Sequence, residues 1–123
     1  MFFNFKRAVK SFIYAFRGLK SVWKSEQNFR FHSITAILVL SLALILHIKR
    51  IDFIIIILLI GLVLILELVN TIFEKLIDIL KPRIHEYSKE IKNISSAVVL
   101  LAAFVSVIIG IIIFCPYFEK IIF

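Results

Sequence analysis

The sequence predicts an all-α membrane protein with three transmembrane helices and an N-terminal amphipathic helix at the membrane interface. Of its 123 residues, 62% are hydrophobic and only 19% are charged, and the mean hydropathy is +1.06. A water-soluble domain has about 45–50% apolar and about 25% charged residues, so this composition excludes an ordinary soluble fold. Three glycines and two prolines argue against linkers and turn-rich β structure, and residues 1–123 have the length of a single domain.

The first thirty residues form a basic amphipathic segment. Seven of the fifteen Lys and Arg residues lie there, against one acid, Glu26. Large apolar residues recur at steps of three and four from Phe5 to Trp23, which places them on one face of a helix. A helix of this kind, predicted over about residues 5–28, suits the headgroup layer of a membrane better than nucleic acid or a cleaved signal peptide.

Three long apolar stretches follow this segment. Residues 31–48 and 93–118 contain no Asp, Glu, Lys or Arg, and a third apolar pattern runs between them from Phe53 to Leu80. Because about 20 apolar residues cross the hydrocarbon core, we expect spans at about residues 32–48, 52–80 and 92–118. Pro82 is expected to end the second span, since a proline inside a helix removes a backbone hydrogen bond and clashes with the preceding turn.

The basic residues predict the orientation in the membrane. The link between the second and third spans carries four Lys and Arg residues, whereas the link between the first two spans carries only Lys49 and Arg50. With three spans, the basic N terminus and the second link share one side of the membrane. The positive-inside rule assigns that side to the cytoplasm.

Polar residues interrupt the second span along one stripe. Glu67, Asn70, Glu74 and Asp78 stand at i, i+3, i+7 and i+11, so they share one face of a helix. An ionised carboxylate among lipid-facing Leu and Ile is costly, and carboxylates within a span therefore indicate a functional site that faces protein or water. The simpler interpretation is a polar seam between two helices.

Carboxylates beside Lys and Arg at the membrane edge suit phosphoryl transfer. Protein sites for Mg²⁺ usually consist of one or two carboxylates together with phosphate oxygens. Basic side chains can neutralise the transferring phosphoryl group, and a further carboxylate can accept the proton of an attacking hydroxyl. From the residues alone, the stripe is a candidate phosphoryl-transfer site.

The motifs around the stripe resemble those of a known family. Glu67, Asn70, Thr71 and Glu74 follow the pattern Glu-x-x-Asn-Thr-x-x-Glu, and a second motif, Glu-Gln-Asn-Phe-Arg, precedes the first span at residues 26–30. Both are similar to the small prokaryotic integral-membrane lipid kinases, the family of diacylglycerol kinase and undecaprenol kinase. The resemblance covers essentially the whole chain and includes Arg7, Tyr14, Gly18, His85, Lys92 and residues 96–100.

This resemblance implies both an assembly and an activity. The expected protein is a homotrimer in the bacterial cytoplasmic (inner) membrane, with active sites shared between neighbouring subunits. It would phosphorylate a membrane lipid alcohol with ATP and Mg²⁺ at the cytoplasmic face. The expected partners are the bilayer, the lipid substrate and further copies of the chain, and no nucleic-acid partner is expected.

The resemblance also implies roles for individual residues. Glu67 would accept the proton of the lipid hydroxyl, with Asn70 orienting groups beside it, and Glu26 and Glu74 would hold the nucleotide-bound Mg²⁺. The residues expected at the nucleotide are Arg7, Tyr14, Glu26, Glu74, His85, Lys92 and Asn93. The residues expected at the lipid substrate are Arg7, Trp23, Phe29, Arg30, Glu67 and Ser96.

Simpler roles are open for several of these residues. Arg7 can anchor the helix to headgroups, Tyr14 can be an interface aromatic, and His85 can be a plain loop residue. Arg30 can serve only as a positive-inside anchor, and Trp23 can serve packing. The alternative function is a non-catalytic small membrane protein, such as a transporter subunit or an assembly factor, with Glu67 as a proton relay or part of a helix seam.

Two positions bear on activity and substrate. The family usually has Lys-Asp where this chain has Lys92 and Asn93, and the amide keeps the shape of Asp but loses its negative charge. This difference bears on nucleotide and metal handling. The segment from Glu26 to His32 looks nearer to the undecaprenol-using branch than to the diacylglycerol branch, where an acid tends to replace His32. Undecaprenol is therefore the favoured substrate.

Overall fold

The computed structural model describes residues 3–123, except for the side chains at positions 81, 82 and 84. All regular structure in that range is helical and forms α1 (Phe5–Ser25), α2 (Gln27–Ile45) and α3 (Arg50–Ile122). Within the described part of the chain, three segments are long and apolar enough to cross a membrane: Gln27–Ile45, Arg50–Leu80 and His85–Ile122. The predicted fold class, three spans preceded by an amphipathic helix, is confirmed.

Helix α1 begins and ends at residues that suit a helix boundary. The side chain of Asn4 caps the first turn by accepting a 3.2 Å hydrogen bond from the backbone N–H of Arg7. The helix ends at Ser25 because Glu26 adopts an extended conformation, with φ −113° and ψ 109°. Its large apolar side chains, such as Phe12 and Phe16, are exposed, as expected for a helix whose apolar face lies in a membrane surface.

The corner between α1 and α2 is fixed by Arg30. One guanidinium nitrogen of Arg30 donates to the carbonyl oxygens of Trp23, at 2.7 Å, and Lys24, at 3.0 Å. These carbonyls lie in the last turn of α1, where backbone oxygens lack partners within the helix and a cation is favourable. Val22 and Phe29 are buried on either side of the corner. The contacts hold Glu26 at the junction of the two helices.

The turn from α2 to α3 is tight and closes with a histidine in the left-handed conformation. His47 has φ 50°, and its N–H donates to the carbonyl of Leu44, while the N–H of Ile48 donates to the carbonyl of Ala43. Leu46 is the C-cap residue that follows the last residue of α2. This bond pattern is a Schellman motif, in which glycine usually takes the left-handed position.

Helix α3 reverses its direction even though its helical backbone is continuous. Asn70 and Ser95 are hydrogen bonded, although 25 residues of straight helix would separate them by about 37 Å. Asp78 also contacts Lys92, so the reversal lies between these two residues. We call Arg50–Leu80 the first arm of α3 and His85–Ile122 the second arm.

The second span ends near Pro82 as expected, because the membrane-spanning segments end at Leu80 and begin again at His85. The helical backbone itself continues through this position, and the chain changes direction there without a non-helical loop. Proline can kink a helix as well as end it, so a reversal within helical backbone is compatible with its chemistry. The side chain of Pro82 lies outside the described set.

The packed interior has an apolar end and a polar end. Near the α2–α3 turn, Ala43, Ile56, Ile113 and Phe114 form a buried apolar cluster between α2 and the two arms. Towards the reversal, the buried residues of the first arm include the polar Glu67, Asn70 and Thr71, followed by the apolar Ile77. Most of the remaining large apolar side chains are exposed and provide the surface that faces lipid.

Candidate active site

Glu67 is the most deeply buried large side chain in the described residues, with 2% of its surface exposed. It lies on the first arm of α3, one turn before Thr71, whose hydroxyl donates a 3.0 Å hydrogen bond to the Glu67 carbonyl. On the opposite side, Nε2 of His32 lies 3.9 Å from Oε2 of Glu67. Burying an ionised carboxylate at membrane depth costs free energy, so such a residue usually has a function. The groups that contact it indicate what that function is.

A chain of hydrogen bonds runs beside Glu67 and crosses from one arm to the other. The hydroxyl of Ser95 donates to Oδ1 of Asn70 at 2.6 Å, and Nδ2 of Asn70 donates to Oε1 of Glu74 at 3.3 Å. Because Ser95 contacts the amide oxygen, the amide nitrogen is directed to Glu74. The second arm therefore controls the orientation of a carboxylate on the first arm.

Three carboxylates converge on this region. Glu26, at the corner between α1 and α2, and Glu74, on the first arm, both lie within electrostatic range of Glu67. Glu74 lies seven residues beyond Glu67, which is about 10 Å along the helix. The site therefore has one deep carboxylate and two further carboxylates near enough to influence it.

The donor set suits Mg²⁺ held together with a phosphorylated ligand. Among the described residues, no group of three or more His, Cys, Asp or Glu side chains could hold a metal ion. Mg²⁺ does not need such a group, because it is usually bound by one or two carboxylates, phosphate oxygens and water. Glu26 and Glu74 are the two carboxylates of the region that could serve in this way.

Lys92, on the second arm of α3, contacts Asp78 on the first arm. Its Nζ lies 2.6 Å from Oδ1 of Asp78, and both side chains are partly open to solvent. Pairs of this kind contribute about 0–1 kcal/mol, so Lys92 can leave Asp78 for a phosphate at little cost. Asn93, the next residue, is exposed.

Comparison with known proteins identifies the family. The family described as prokaryotic diacylglycerol kinase matches residues 13–114. The chain belongs to this family. It is 37% identical to the undecaprenol kinase of Bacillus subtilis (strain 168) over 110 residues, which are 89% of each chain. It is 32% identical to the diacylglycerol kinase of Escherichia coli (strain K12) over 115 residues, which are 94% of each chain.

A third relative is longer. The diacylglycerol kinase of Synechocystis is 38% identical over 101 residues, which are 81% of this chain but 58% of the relative. Family membership confirms the predicted resemblance and makes this protein a lipid kinase of a bacterial membrane. The non-catalytic alternative is not supported.

The lipid kinase brings some of the predicted site residues together within one chain. Glu26, Glu67, Asn70 and Glu74 lie in one region. Two predicted nucleotide residues lie far from it, because Arg7 is about 28 Å from Glu26 along α1 and Tyr14 about 18 Å. Three residues from the predicted nucleotide and lipid sets are exposed: Tyr14, with Arg17 over its ring at 6.0 Å, His85 and Trp23.

The predicted lipid-binding residues have different surroundings from one another. Phe29 is buried in the corner between α1 and α2, so its ring packs against protein in this conformation. Arg30 directs its guanidinium to α1 carbonyls, and Ser96 is exposed on the second arm. The structure therefore brings neither Arg30 nor Ser96 to Glu67, and their roles in lipid binding stay predictions.

Two residues of this region, His32 and Ser95, are absent from the predicted site. The buried and half-buried residues of the second arm recur at alternating steps of four and three, namely Ser95, Val99, Ala102, Ser106, Ile109 and Ile113. Ser95 lies on this inward face and Ser96 does not. The sequence alone does not distinguish them, because the series that begins at Ser96 has the same spacing and is equally apolar. For His32, the sequence offers only its place in the segment that resembles the undecaprenol-using branch, and this does not point to Glu67.

Proposed function

We propose that this lipid kinase transfers the γ-phosphoryl group of ATP to the hydroxyl of undecaprenol at the cytoplasmic face of the inner membrane, with Mg²⁺ as cofactor. The observation that carries the proposal is the buried carboxylate of Glu67, which has Glu26 and Glu74 near enough to act on it. A lipid hydroxyl reaches Glu67 from the bilayer, and a nucleotide reaches Glu74 from the loop side of the reversal.

Glu67 is the proton acceptor in this proposal. The lipid oxygen forms a bond to the γ-phosphorus while the bond from that phosphorus to the bridging oxygen of ADP breaks. The hydroxyl proton passes to the Glu67 carboxylate, and the negative charge of the leaving group stays on ADP. A positioned carboxylate that accepts this proton contributes about 10²–10⁴-fold to the rate.

Glu26 and Glu74 are the proposed Mg²⁺ ligands. When bound, the ion neutralises the nucleotide phosphates and the charge that develops in the transfer. Asn70 assists by holding Oε1 of Glu74 in a fixed direction, and Ser95 holds Asn70 in turn. Lys92 and His85 lie on the same side as the reversal, where Lys92 can contact phosphate.

A homotrimer with shared sites explains the separation of the nucleotide residues. Arg7 lies about 28 Å from Glu26 along one helix, so one chain cannot place both on the same triphosphate by way of α1. A neighbouring subunit could bring its α1, with Arg7 and Tyr14, to the carboxylates of this chain. Each active site would then contain residues of two subunits.

The choice of undecaprenol rests on the relatives and the first motif. The Bacillus subtilis relative named undecaprenol kinase is 37% identical, against 32% for the Escherichia coli diacylglycerol kinase. The motif that runs from Glu26 to His32 also resembles the undecaprenol-using branch. The N terminus is proposed to be cytoplasmic because the basic residues concentrate there and around the reversal.

The test is lipid phosphorylation by the purified protein in mixed micelles. Labelled ATP and Mg²⁺ are supplied with either undecaprenol or diacylglycerol, under identical micelle conditions. We expect faster transfer of label to undecaprenol and no transfer when Mg²⁺ is removed with a chelator. Faster turnover of diacylglycerol would overturn the substrate assignment, and transfer to neither lipid would overturn the proposed activity.

A further inference from the structure

A cavity of about 410 Å³ lies between α2 and the two arms of α3. Its lining is apolar apart from His32, Thr35 and Ser106. The lining residues on α2 run from Phe31 to Leu42, which is about 16 Å along that helix. The cavity is thus an elongated apolar space that runs along the helices.

His32 joins this cavity to the buried carboxylate. Its ring lines the cavity, and its Nε2 lies 3.9 Å from Oε2 of Glu67. That distance is too long for a hydrogen bond between the two groups. An oxygen atom between them could lie at about 2.8 Å from both, which is a hydrogen-bonding distance on each side. The His32 side chain is 20% exposed and that of Glu67 2%, so the approach lies on the His32 side.

We infer that His32 is a substrate-binding residue whose Nε2–H donates a hydrogen bond to the oxygen of the lipid alcohol, while the hydrocarbon chain enters the apolar cavity. This inference rests on the proposed function, because it takes Glu67 as the acceptor of the hydroxyl proton. His32 keeps its own proton throughout the transfer. Its role is to hold the attacking oxygen beside Glu67 in a suitable direction.

The chemistry of the cavity favours an alcohol with hydrocarbon directly next to the hydroxyl carbon. A polyprenol meets this condition. A diacylglycerol has two ester groups close to its hydroxyl, and burying their carbonyls without hydrogen-bond donors is unfavourable. The hydroxyl of Ser106 already donates to the carbonyl of Ala102 at 2.8 Å. Thr35 is then the one other hydroxyl among the described lining residues, and a single hydroxyl cannot satisfy two ester carbonyls. His32 and this mostly apolar lining therefore favour a prenol at the site.

The test compares three variants in mixed micelles. His32→Leu removes the donor, His32→Gln keeps an N–H at a similar distance from the backbone, and Ser41→Ala is the control. Ser41 lies on the same helix, outside the cavity lining, and bonds only to the backbone carbonyl of Ile37 among its described partners. The measured quantities are kcat and KM for a polyprenol and KM for ATP.

The expected result is a change in lipid binding alone. His32→Leu should raise KM for the polyprenol roughly tenfold, the effect of losing one hydrogen bond. The KM for ATP should stay within about twofold, since one hydrogen bond to the lipid oxygen does not touch the nucleotide. His32→Gln should recover most of the loss, and Ser41→Ala should match the wild type. If His32→Leu does not assemble, His32→Asn is used instead, because the shorter Asn side chain cannot donate to an oxygen placed between residue 32 and Glu67.

Failure of the inference is distinct from failure of the proposed function. If the wild type phosphorylates polyprenol and His32→Leu does so with an unchanged KM, the role of His32 is wrong while the kinase activity stands. If the wild type phosphorylates no lipid, the proposed function fails. Equilibrium binding of a labelled polyprenol then tests His32 by itself: weaker binding by His32→Leu supports the inference, and equal binding overturns it.

Discussion

The hydroxyl of Ser95 donates a 2.6 Å hydrogen bond to the amide oxygen of Asn70, and this bond joins the two arms of α3 beside the buried Glu67. This bond also affects Glu74, which Asn70 contacts. An amide that receives a donor on its oxygen must direct its nitrogen elsewhere, and here the nitrogen contacts Glu74. The second arm therefore acts on the proposed Mg²⁺ site through one amide side chain.

The first prediction concerns Ser95→Ala. Without the hydroxyl, Asn70 can rotate, and Glu74 loses the group that fixes its carboxylate. We expect the Mg²⁺ concentration for half-maximal activity to rise several-fold. This is less than the tenfold to hundredfold effects of residues that contact a metal ligand directly, because Ser95 acts on Glu74 only through Asn70. Titration of activity with Mg²⁺ measures this. Ser96→Ala is the comparison, because the family motif places substrate binding at Ser96 whereas the geometry assigns the contact to Ser95. A normal Mg²⁺ requirement in Ser95→Ala would contradict the positioning role.

The second prediction assigns different roles to the two glutamates. Glu67→Gln should reduce lipid phosphorylation by roughly 100-fold or more, because the amide cannot accept the hydroxyl proton. ATP affinity should change only slightly, and the fold should survive because the volume is kept and a costly buried charge is removed. Glu74→Gln should instead weaken Mg²⁺ dependence and nucleotide binding, since a neutral amide is a poor ligand for a hard cation.

The measurements for both glutamate variants are nucleotide affinity and lipid phosphorylation. The size of the oligomer, determined in the same detergent, serves as the control for assembly. Near-normal turnover in Glu67→Gln, or a loss of ATP binding alone, would exclude Glu67 as the proton acceptor.

The sequence predicts the spans and the polar stripe well, for physical reasons that are local. Charge-free apolar stretches as long as residues 31–48 are typical of membrane spans, and the spacing of Glu67, Asn70 and Glu74 defines one helix face whatever the neighbouring elements are. Local sequence patterns do not determine which residues of the two arms lie opposite each other. That register depends on how α3 reverses, and it places Ser95 rather than Ser96 against Asn70.

Other features lie outside local sequence patterns for a similar reason. Arg30 looks like a lipid-facing or positive-inside residue until the corner at Glu26 is known, and only then do the α1 carbonyls come within its reach. His32 follows no motif that points to Glu67, because the contact joins two helices. Contacts between elements therefore account for most of the site residues that sequence patterns miss.

The third prediction tests the strained turn between α2 and α3. His47 holds a left-handed conformation, which costs a residue with a side chain about 1–3 kcal/mol. His47→Gly should stabilise the protein by up to about 1 kcal/mol, because glycine adopts this conformation freely but has more freedom to lose on folding. Thermal unfolding in detergent should show a higher Tm for His47→Gly and a lower Tm for His47→Val, whose branched side chain resists positive φ. A lower Tm for the glycine variant would mean that the histidine side chain contributes more than the turn costs.

The last prediction concerns a tyrosine at the other end of the bundle. The hydroxyl of Tyr117 donates to Oδ2 of Asp52 at 2.7 Å and accepts the N–H of Lys49 at 2.9 Å. Lys49 precedes the first turn of α3, and Asp52 is the third residue of that helix. In a capping box, an acidic residue at the position of Asp52 accepts the N–H of the cap residue, here Lys49, directly. In this structure the Tyr117 hydroxyl lies between the two groups and bonds to both. The bonds connect the second arm to the start of the first arm.

Tyr117→Phe should therefore destabilise the fold without affecting chemistry. Loss of two hydrogen bonds, one of them to a carboxylate, should lower the free energy of unfolding by about 2 kcal/mol. The KM values for lipid and ATP should remain normal, since Tyr117 and Asp52 lie at the opposite end of the arms from Glu67 and Glu74. Unfolding in detergent measures the loss, with Tyr87→Phe as the matched control because the ring of Tyr87 is exposed. Equal stability of the two variants would show that the Asp52 carboxylate can cap Lys49 by itself once the hydroxyl is removed.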